Sequence, residues 1–225
     1  MERYFDETGL CRLPSLYVVT DTTIGRGRSH AALAAAAAAG GAGVIQLRDK
    51  EKTGDALLKE ALAVREALDG YTALFIVNDS LEVALAAGAD GVHLGQSDGS
   101  VPDARARVRA AFPDDSRRFI IGVSVGSVEE ACRAVAEGAD YVALGPVFAT
   151  TSKADAGAAR GLALLQEIRA AVPVPVVGIG GIGLHNVQDV FLAGAESAAV
   201  ISAVVAEEDV EAAARAMCGM IRGVR

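Results

Sequence analysis

Short apolar runs recur along the chain, near 16–20, 43–48, 74–78, 91–95, 120–124, 141–145, 174–180 and 197–202. Most carry Val, Ile or Leu at nearly every position rather than at every second one. Strands read this way when both faces are buried, as in a parallel sheet covered by helices. Between the runs lie segments rich in Ala, Leu, Glu and Arg, among them 54–68, 81–87, 127–136, 162–171 and 187–193. Their apolar residues fall three and four apart, which places them on one helical face. The pattern predicts eight alternating strand–helix units.

One phrase repeats at the joints: Gly88-Ala89-Asp90, Gly138-Ala139-Asp140 and Gly194-Ala195-Glu196, with an echo in Gly41-Ala42-Gly43. In each, Gly can end a helix in a left-handed cap before the chain enters the next strand. Repetition of one helix-to-strand turn argues for one repeated βα architecture rather than two unlike domains. Eight parallel units in 225 residues fit a single (β/α)8 TIM barrel spanning 1–225, with 1–14 as an N-terminal extension. The rival is a doubly wound open sheet, which would usually carry a Gly-rich dinucleotide turn after its first strand. Here Thr20-Asp21-Thr22-Thr23-Ile24 follows instead.

Composition narrows the partners. A chain that is 52% hydrophobic and 22% charged is too apolar for disorder. A net charge of -8, 4% aromatic residues and no Trp disfavour a nucleic-acid binder, which needs a basic face and stacking platforms. No apolar run reaches the roughly 18 residues of a membrane span. Residues 1–14 lack the apolar core of a secretory signal, so a cytoplasmic protein is expected. Three cysteines have no metal-type spacing, and Cys132 is expected as a buried small hydrophobe. The partners are then small molecules, and a homo-oligomer is left open.

In barrels of this type the site lies at the carboxyl ends of the strands. Those ends supply Gln46, Arg48 and Lys50, spaced by two on one face, then Asn78-Asp79, Gln96 and Asp98, and Ser124. Further on come Thr150-Thr151-Ser152-Lys153, Gly180-Gly181 and Ile201-Ser202. Glycines at a strand-to-helix turn can expose N–H groups to a phosphate, or can merely allow a tight turn. Arg48, Lys50 and Lys153 form a cationic set in an acidic chain, facing the carboxylates of Asp79 and Asp98. An isolated acid–base pair is an ordinary salt bridge. Two carboxylates with substrate phosphate oxygens are a common way to hold Mg²⁺, with the bases balancing the rest of a diphosphate's charge.

These residues resemble the thiamine phosphate synthase family. The matching stretches, in order, are LYVVTD (16–21), QLRDK (46–50), Asn78-Asp79, ADGVHLGQ (89–96) with Asp98, IGVS (121–124), GPVF (145–148) with the Thr/Lys loop, VGIGGI (177–182) and ISA (201–203). The resemblance implies a transferase that joins 4-amino-2-methyl-5-hydroxymethylpyrimidine diphosphate to a thiazole phosphate, giving thiamine phosphate and diphosphate. It implies that the stretch Gln46, Leu47, Arg48, Asp49, Lys50, together with Asn78, holds the pyrimidine diphosphate, and that Asp79 and Asp98 bind its Mg²⁺. Ser124 would contact the pyrimidine and Lys153 the diphosphate. Thr150, Thr151, Ser152, Gly180, Gly181, Ile201 and Ser202 would hold the thiazole phosphate. Arg48, Lys50, Ser124 and Lys153 would do the catalytic work.

Two positions depart from the family pattern. Ser152 stands where a second Thr is usual, and Gly126 stands where the family often has His. That His serves proton transfer in sister thiazole tautomerases, so an isomerase of that type is one alternative. A non-catalytic thiamine-pathway ligand sensor is another. His30, His93 and His185 are expected to be structural or exposed. Residues 149–160, rich in Ala and small polar side chains, read as a flap carrying Lys153.

Overall fold

A computed structural model describes residues 4–113, 118–152 and 157–224. It holds eight parallel strands: β1 (Leu16–Thr20), β2 (Val44–Leu47), β3 (Leu74–Asn78), β4 (Gly91–Leu94), β5 (Ile120–Val125), β6 (Tyr141–Leu144), β7 (Val176–Ile179) and β8 (Ser197–Val200). They hydrogen-bond in sequence order, and β8 pairs with β1, so the sheet is a closed barrel. The helices outside are α1 (His30–Ala39), α2 (Gly54–Ala67), α3 (Leu81–Ala86), α4 (Val101–Ala111) and α5 (Val128–Ala136), then α6 (Gly161–Ala171), α7 (Val187–Leu192), α8 (Ser202–Val205) and α9 (Val210–Arg222). The eight apolar runs each become a strand. Several are shorter than the run: pairing on β2 stops at Leu47, and Ser202 already begins α8.

The repeated joint has a physical purpose beyond its turn. Gly41, Gly88, Gly138 and Gly194 all adopt positive φ. The acid that follows in three of the copies reaches back to the start of the preceding strand. Asp90 accepts the Phe75 N–H at 2.8 Å, Asp140 that of Ile121 at 2.6 Å and Glu196 that of Val176 at 2.8 Å. Each acid is also met by an arginine from the helix before that strand: Arg65, Arg105 and Arg169. An N–H at a strand start would otherwise be left without a ladder partner under the barrel. Burial pushes the Asp140 carboxyl above its usual range, against the pull of Arg105 and of the Ile121 N–H.

Register sorts the barrel interior from its outer face. Tyr17 pairs with Val44, and Val19 with Gln46, so these four point inward, while Val18, Ile45 and Leu47 face the helices. The same alternation carries Asn78, His93 and Ser124 inward. Gly122 lies opposite Tyr141, and a Cβ there would sit 2.0 Å from the tyrosine ring. The glycine therefore makes the space in which Tyr141 fills the barrel.

Cys132 is exposed, contrary to the expectation of a buried thiol. Helix α5 buries Ala131 and Ala134, and Cys132 falls between them on the outward side. The buried cysteine is Cys11, whose thiol burial pushes up to about 12. It packs with Leu13 in the segment preceding β1. That segment is tied on by the Phe5–Cys11 bridge and by the Tyr4 hydroxyl, which donates to the Thr72 carbonyl. No helix among the described residues is long and apolar enough to cross a membrane.

Candidate active site

The carboxyl ends of the strands bring the described ones among the expected residues to one mouth, in two unlike halves. On the β1–β4 side, Gln46 and Arg48 are each 5% exposed. The Arg48 guanidinium donates to Asp21 Oδ2 at 3.0 Å, from the turn after β1. Asp21 takes one arm of the fork and so fixes its plane. Lys50 lies two residues beyond on an exposed bend, because β2 has already ended. Leu47 is fully buried against the helices. Asp49 accepts the N–H groups of Glu51 and Lys52, and its other oxygen lies 3.3 Å from His30 Nε2. The side chains of Leu47 and Asp49 are thus used behind the strand, and contact with a substrate is left to their main chain.

Beneath Arg48 a polar row crosses the barrel. Gln46 Nε2 donates to the Tyr17 hydroxyl at 2.7 Å, which lies 3.0 Å from that of Tyr141. His93 Nδ1 is 3.0 Å from Tyr141 OH, and its Nε2 is 2.8 Å from Ser124 Oγ. One consistent direction satisfies every group: Tyr17 donates to Tyr141, Tyr141 to His93 Nδ1, and His93 Nε2–H to Ser124. Ser124 then keeps its own proton for whatever occupies the mouth. Burial raises both tyrosine hydroxyls above their usual range, so they stay protonated. His93 is structural, as expected, but it also orients Ser124. Nothing in the spacing along the chain could show this, since the members of the row come from five different strands.

Asp79 follows β3 with φ 64°, a left-handed backbone that is uncommon for a residue with a side chain. Its N–H donates to the His93 carbonyl at 2.8 Å, which pins the turn. Asp98 lies in the turn after β4, where its Oδ2 accepts the Gly95 N–H at 2.8 Å. Both acids are exposed at neighbouring strand ends, and Asn78 is half-buried beside them.

The β5–β8 side is a cavity of about 530 Å³. Gly180 and Gly181 have φ of 99° and 65°. A Cβ on Gly181 would come within 2.5 Å of the Ala149 carbonyl, and one on Gly180 within 2.6 Å of Pro146. The glycines therefore do more than permit a turn, since they let the loop after β6 lie directly on the loop after β7. Phe148 N–H donates to the Gly180 carbonyl and Val147 N–H to that of Ile179, closing the contact. Thr150 Oγ1 accepts the Ser152 N–H, and Ser152 Oγ lies 3.1 Å from Ser202 Oγ. The serine at 152 thus places a hydroxyl against the loop after β8. Thr151 is exposed, and Ile201 is buried just before Ser202. Residues 153–156, including Lys153, lie outside the described residues.

Two residues of the mouth carry no signal in the spacing argument. Asp21 is legible only as part of LYVVTD, and its pairing with Arg48 comes from the β1–β2 register. Arg160, at the end of the expected flap, sits in the cavity wall. Its guanidinium donates to the carbonyls of Gly126 and Gly145 at 2.7 and 3.0 Å. This end of the segment is anchored.

Comparison with known proteins agrees with this geometry. A family model described as thiamine monophosphate synthase matches residues 16–204. A thiamine-phosphate synthase from Methanoculleus marisnigri is 62% identical over 202 residues, covering 90% of this chain and 92% of the relative. One from Chloroflexus aurantiacus is 47% identical over 206 residues, 92% of each chain. A solved thiamine phosphate pyrophosphorylase from Pyrococcus furiosus superposes with a TM-score of 0.82 at 38% identity, covering 93% of this chain and 96% of that one. A match running from β1 through α8, with relatives this similar over nine-tenths of the chain, makes this protein a member of the thiamine monophosphate synthase family.

Proposed function

We propose that the protein joins 4-amino-2-methyl-5-hydroxymethylpyrimidine diphosphate to a thiazole phosphate, releasing diphosphate and forming thiamine phosphate. The observation that carries this reading is the union of two complementary subsites at one mouth. A preset guanidinium with two flanking carboxylates occupies the β2–β4 ends, and a cavity lined by hydroxyls and glycines occupies the β5–β8 ends. A tautomerase would have no use for the first, and a sensor no need for both.

Asp79 and Asp98 fit Mg²⁺ by the chemistry of their donors. Both offer hard carboxylate oxygens, and no cluster of three His, Cys, Asp or Glu able to hold a metal occurs among the described residues. Such a pair suits an ion that takes its remaining ligands from substrate phosphate and water. When bound, Mg²⁺ would neutralise part of the diphosphate charge. Arg48 would supply a planar fork to the phosphate oxygens, with Lys50 and Lys153 adding point charges. The amino-pyrimidine can stabilise a methylene cation once diphosphate departs, so no nucleophilic side chain is required. What remains for the protein is to stabilise the leaving charge, aim the thiazole nitrogen and exclude water. Ser124, with its proton directed by His93, would hold the edge of the pyrimidine. Gly181 and Ser202, with Thr150 and Ser152, would hold the thiazole phosphate. Both substrates are charged phosphate esters, which do not cross membranes unaided, and this favours a cytoplasmic setting.

The test is an assay containing both substrates and Mg²⁺. Thiamine phosphate formed in proportion to diphosphate is the expected outcome. Turnover of the thiazole alone would instead favour an isomerase, and binding without product a sensor.

A further inference from the structure

Gly126 follows the last residue of β5, and its backbone does not need glycine's left-handed freedom. What it lacks is room. A Cβ at this position would come within 2.7 to 2.9 Å of all three nitrogen and carbon atoms at the tip of Arg160. The absent side chain at 126 is therefore the seat of the Arg160 guanidinium. That seat is built in detail. The Arg160 N–H donates to the Pro146 carbonyl at 2.8 Å, and Gly161 N–H to that of Val147 at 3.0 Å. The side chain then reaches the Gly145 and Gly126 carbonyls, while Glu130 holds the Gly126 N–H from the other side at 2.7 Å.

Among the described residues, Arg160 is hydrogen-bonded only to neutral main-chain carbonyls. Arg28, by comparison, is also held by carbonyls, those of Gly25, Val205, Glu207 and Glu208, but does not line this cavity. Arg105, Arg65 and Arg169 are each matched to an acid. Arg160 thus presents a positive charge to a cavity it shares with Thr150, Ser152, Gly181 and Ser202, and with Glu130, whose Oε2 is engaged by the Gly126 N–H. The diphosphate set of Arg48, Asp79 and Asp98 does not line that cavity.

We propose that Arg160 is a substrate-binding residue that holds an oxyanion of the thiazole substrate, and that Gly126 is the position that admits it. The inference rests on the reading of the β5–β8 cavity as the thiazole subsite. The oxyanion is either the phosphate or a carboxylate carried on the ring, and a guanidinium suits both.

Arg160→Ala should raise the KM for the thiazole substrate about tenfold, the effect of losing one charged hydrogen bond. The KM for the pyrimidine diphosphate and kcat at saturation should stay within about twofold of the parent. Assays with thiazole phosphate and with its carboxylated form separate the two sources. An equal rise for both identifies the phosphate, and a rise confined to the carboxylated form identifies the carboxylate. Gly126→Ala supplies an independent arm, because the atoms it would meet are the far end of a flexible side chain. It should push the guanidinium out and reproduce the KM rise, yet add nothing in the Arg160→Ala background. A lowered melting temperature with unchanged KM would mark Arg160 as a structural clamp and overturn the proposal, as would a rise in the pyrimidine diphosphate KM alone. If the parent itself makes no thiamine phosphate, the reading of the site fails first, and that result is distinct from either outcome in the variants.

Discussion

On the β1–β4 side of the mouth, Arg48 is paired with Asp21 and seated above a row of buried side chains, each supplied with a partner. Across the barrel, Gly180 and Gly181 fold one loop onto another and line a cavity with main chain and hydroxyls. In the proposed reading the first half would handle charge by preorganised side chains. The second would hold a phosphate ester by shape and short donors, with the Arg160 guanidinium beside them. A leaving diphosphate gains charge during the reaction, whereas the thiazole phosphate keeps its charge throughout. Damage to the first half should therefore fall on turnover, and damage to the second on affinity.

The largest effect should come from removing the metal. If Asp79 and Asp98 hold Mg²⁺, excess chelator abolishes product formation and restored Mg²⁺ recovers it. Asp98→Ala should weaken metal and diphosphate binding together. Full activity in chelator would strike the carboxylates from the diphosphate subsite and erase the contrast between the halves.

Next in size is Arg48→Ala, expected to lower kcat by about 10²- to 10³-fold, as for loss of one preorganised donor to a developing charge. Arg48→Lys should not restore the parent rate, since an ammonium cannot make the planar two-point contact that Asp21 sets up. Steady-state kinetics on the three proteins decides it, and a lysine variant equal to the parent would make the fork irrelevant.

Gly181→Ala probes the other half. Its Cβ would press on the Ala149 carbonyl in a left-handed backbone, at a cost of about 1–3 kcal/mol to that loop pair. The expected outcome is a raised KM for thiazole phosphate, with the dissociation constant of the pyrimidine diphosphate unchanged. Equal losses for both substrates would show that the halves are one mechanical unit.

How much of this contrast could be read along the chain depends on what carries each function. The barrel was legible because apolar runs and repeated Gly-Ala-acid joints mark strand and turn directly. That Arg48, Asp79 and Asp98 stand at neighbouring strand ends was legible because each closely follows such a run. The spacing could not show that Asp90, Asp140 and Glu196 cap strand N–H groups, nor that Asp49 turns to His30, because a single residue's partner across space is not periodic. His93 looked merely structural, since its link to Ser124 depends on the register of β4 against β5. Arg160 was hidden for a simpler reason: what places it is the missing side chain at Gly126. The cavity half showed in the sequence as its glycines and as the hydroxyls of Thr150, Ser152 and Ser202, but the loop-on-loop contact that shapes it did not.

The smallest predicted effect concerns stability, and again it falls on one side. His30 is fully buried, touching Thr20 at 2.7 Å and Asp49 at 3.3 Å behind the QLRDK strand, with Lys52 also on Asp49. Burial holds its imidazole below the ordinary 6.5, and the neighbouring Asp49 only partly offsets this. The unfolded chain then takes up this proton first as pH falls. Stability from neutral His30 is present above 6.5 and is lost as pH drops through 6.5 toward the folded value. Asp49 has the opposite balance: burial pushes its carboxyl up, but the Glu51 and Lys52 N–H groups and His30 outweigh it and leave it below 3.8. Its contribution is present above 3.8 and disappears only in stronger acid, as pH falls through the folded value. Urea unfolding of the parent should therefore show a lower midpoint at pH 5 than at pH 7. His30→Gln, which cannot take a proton, should show less of that drop even if its midpoint at pH 7 is already reduced. Hydrogen exchange across the same interval should locate the loss in β1, β2 and the N-terminal turn of α1, leaving β6 to β8 protected. An equal loss around the whole barrel would mean that the two halves share one acid response, and that the asymmetry of the mouth ends at its surface.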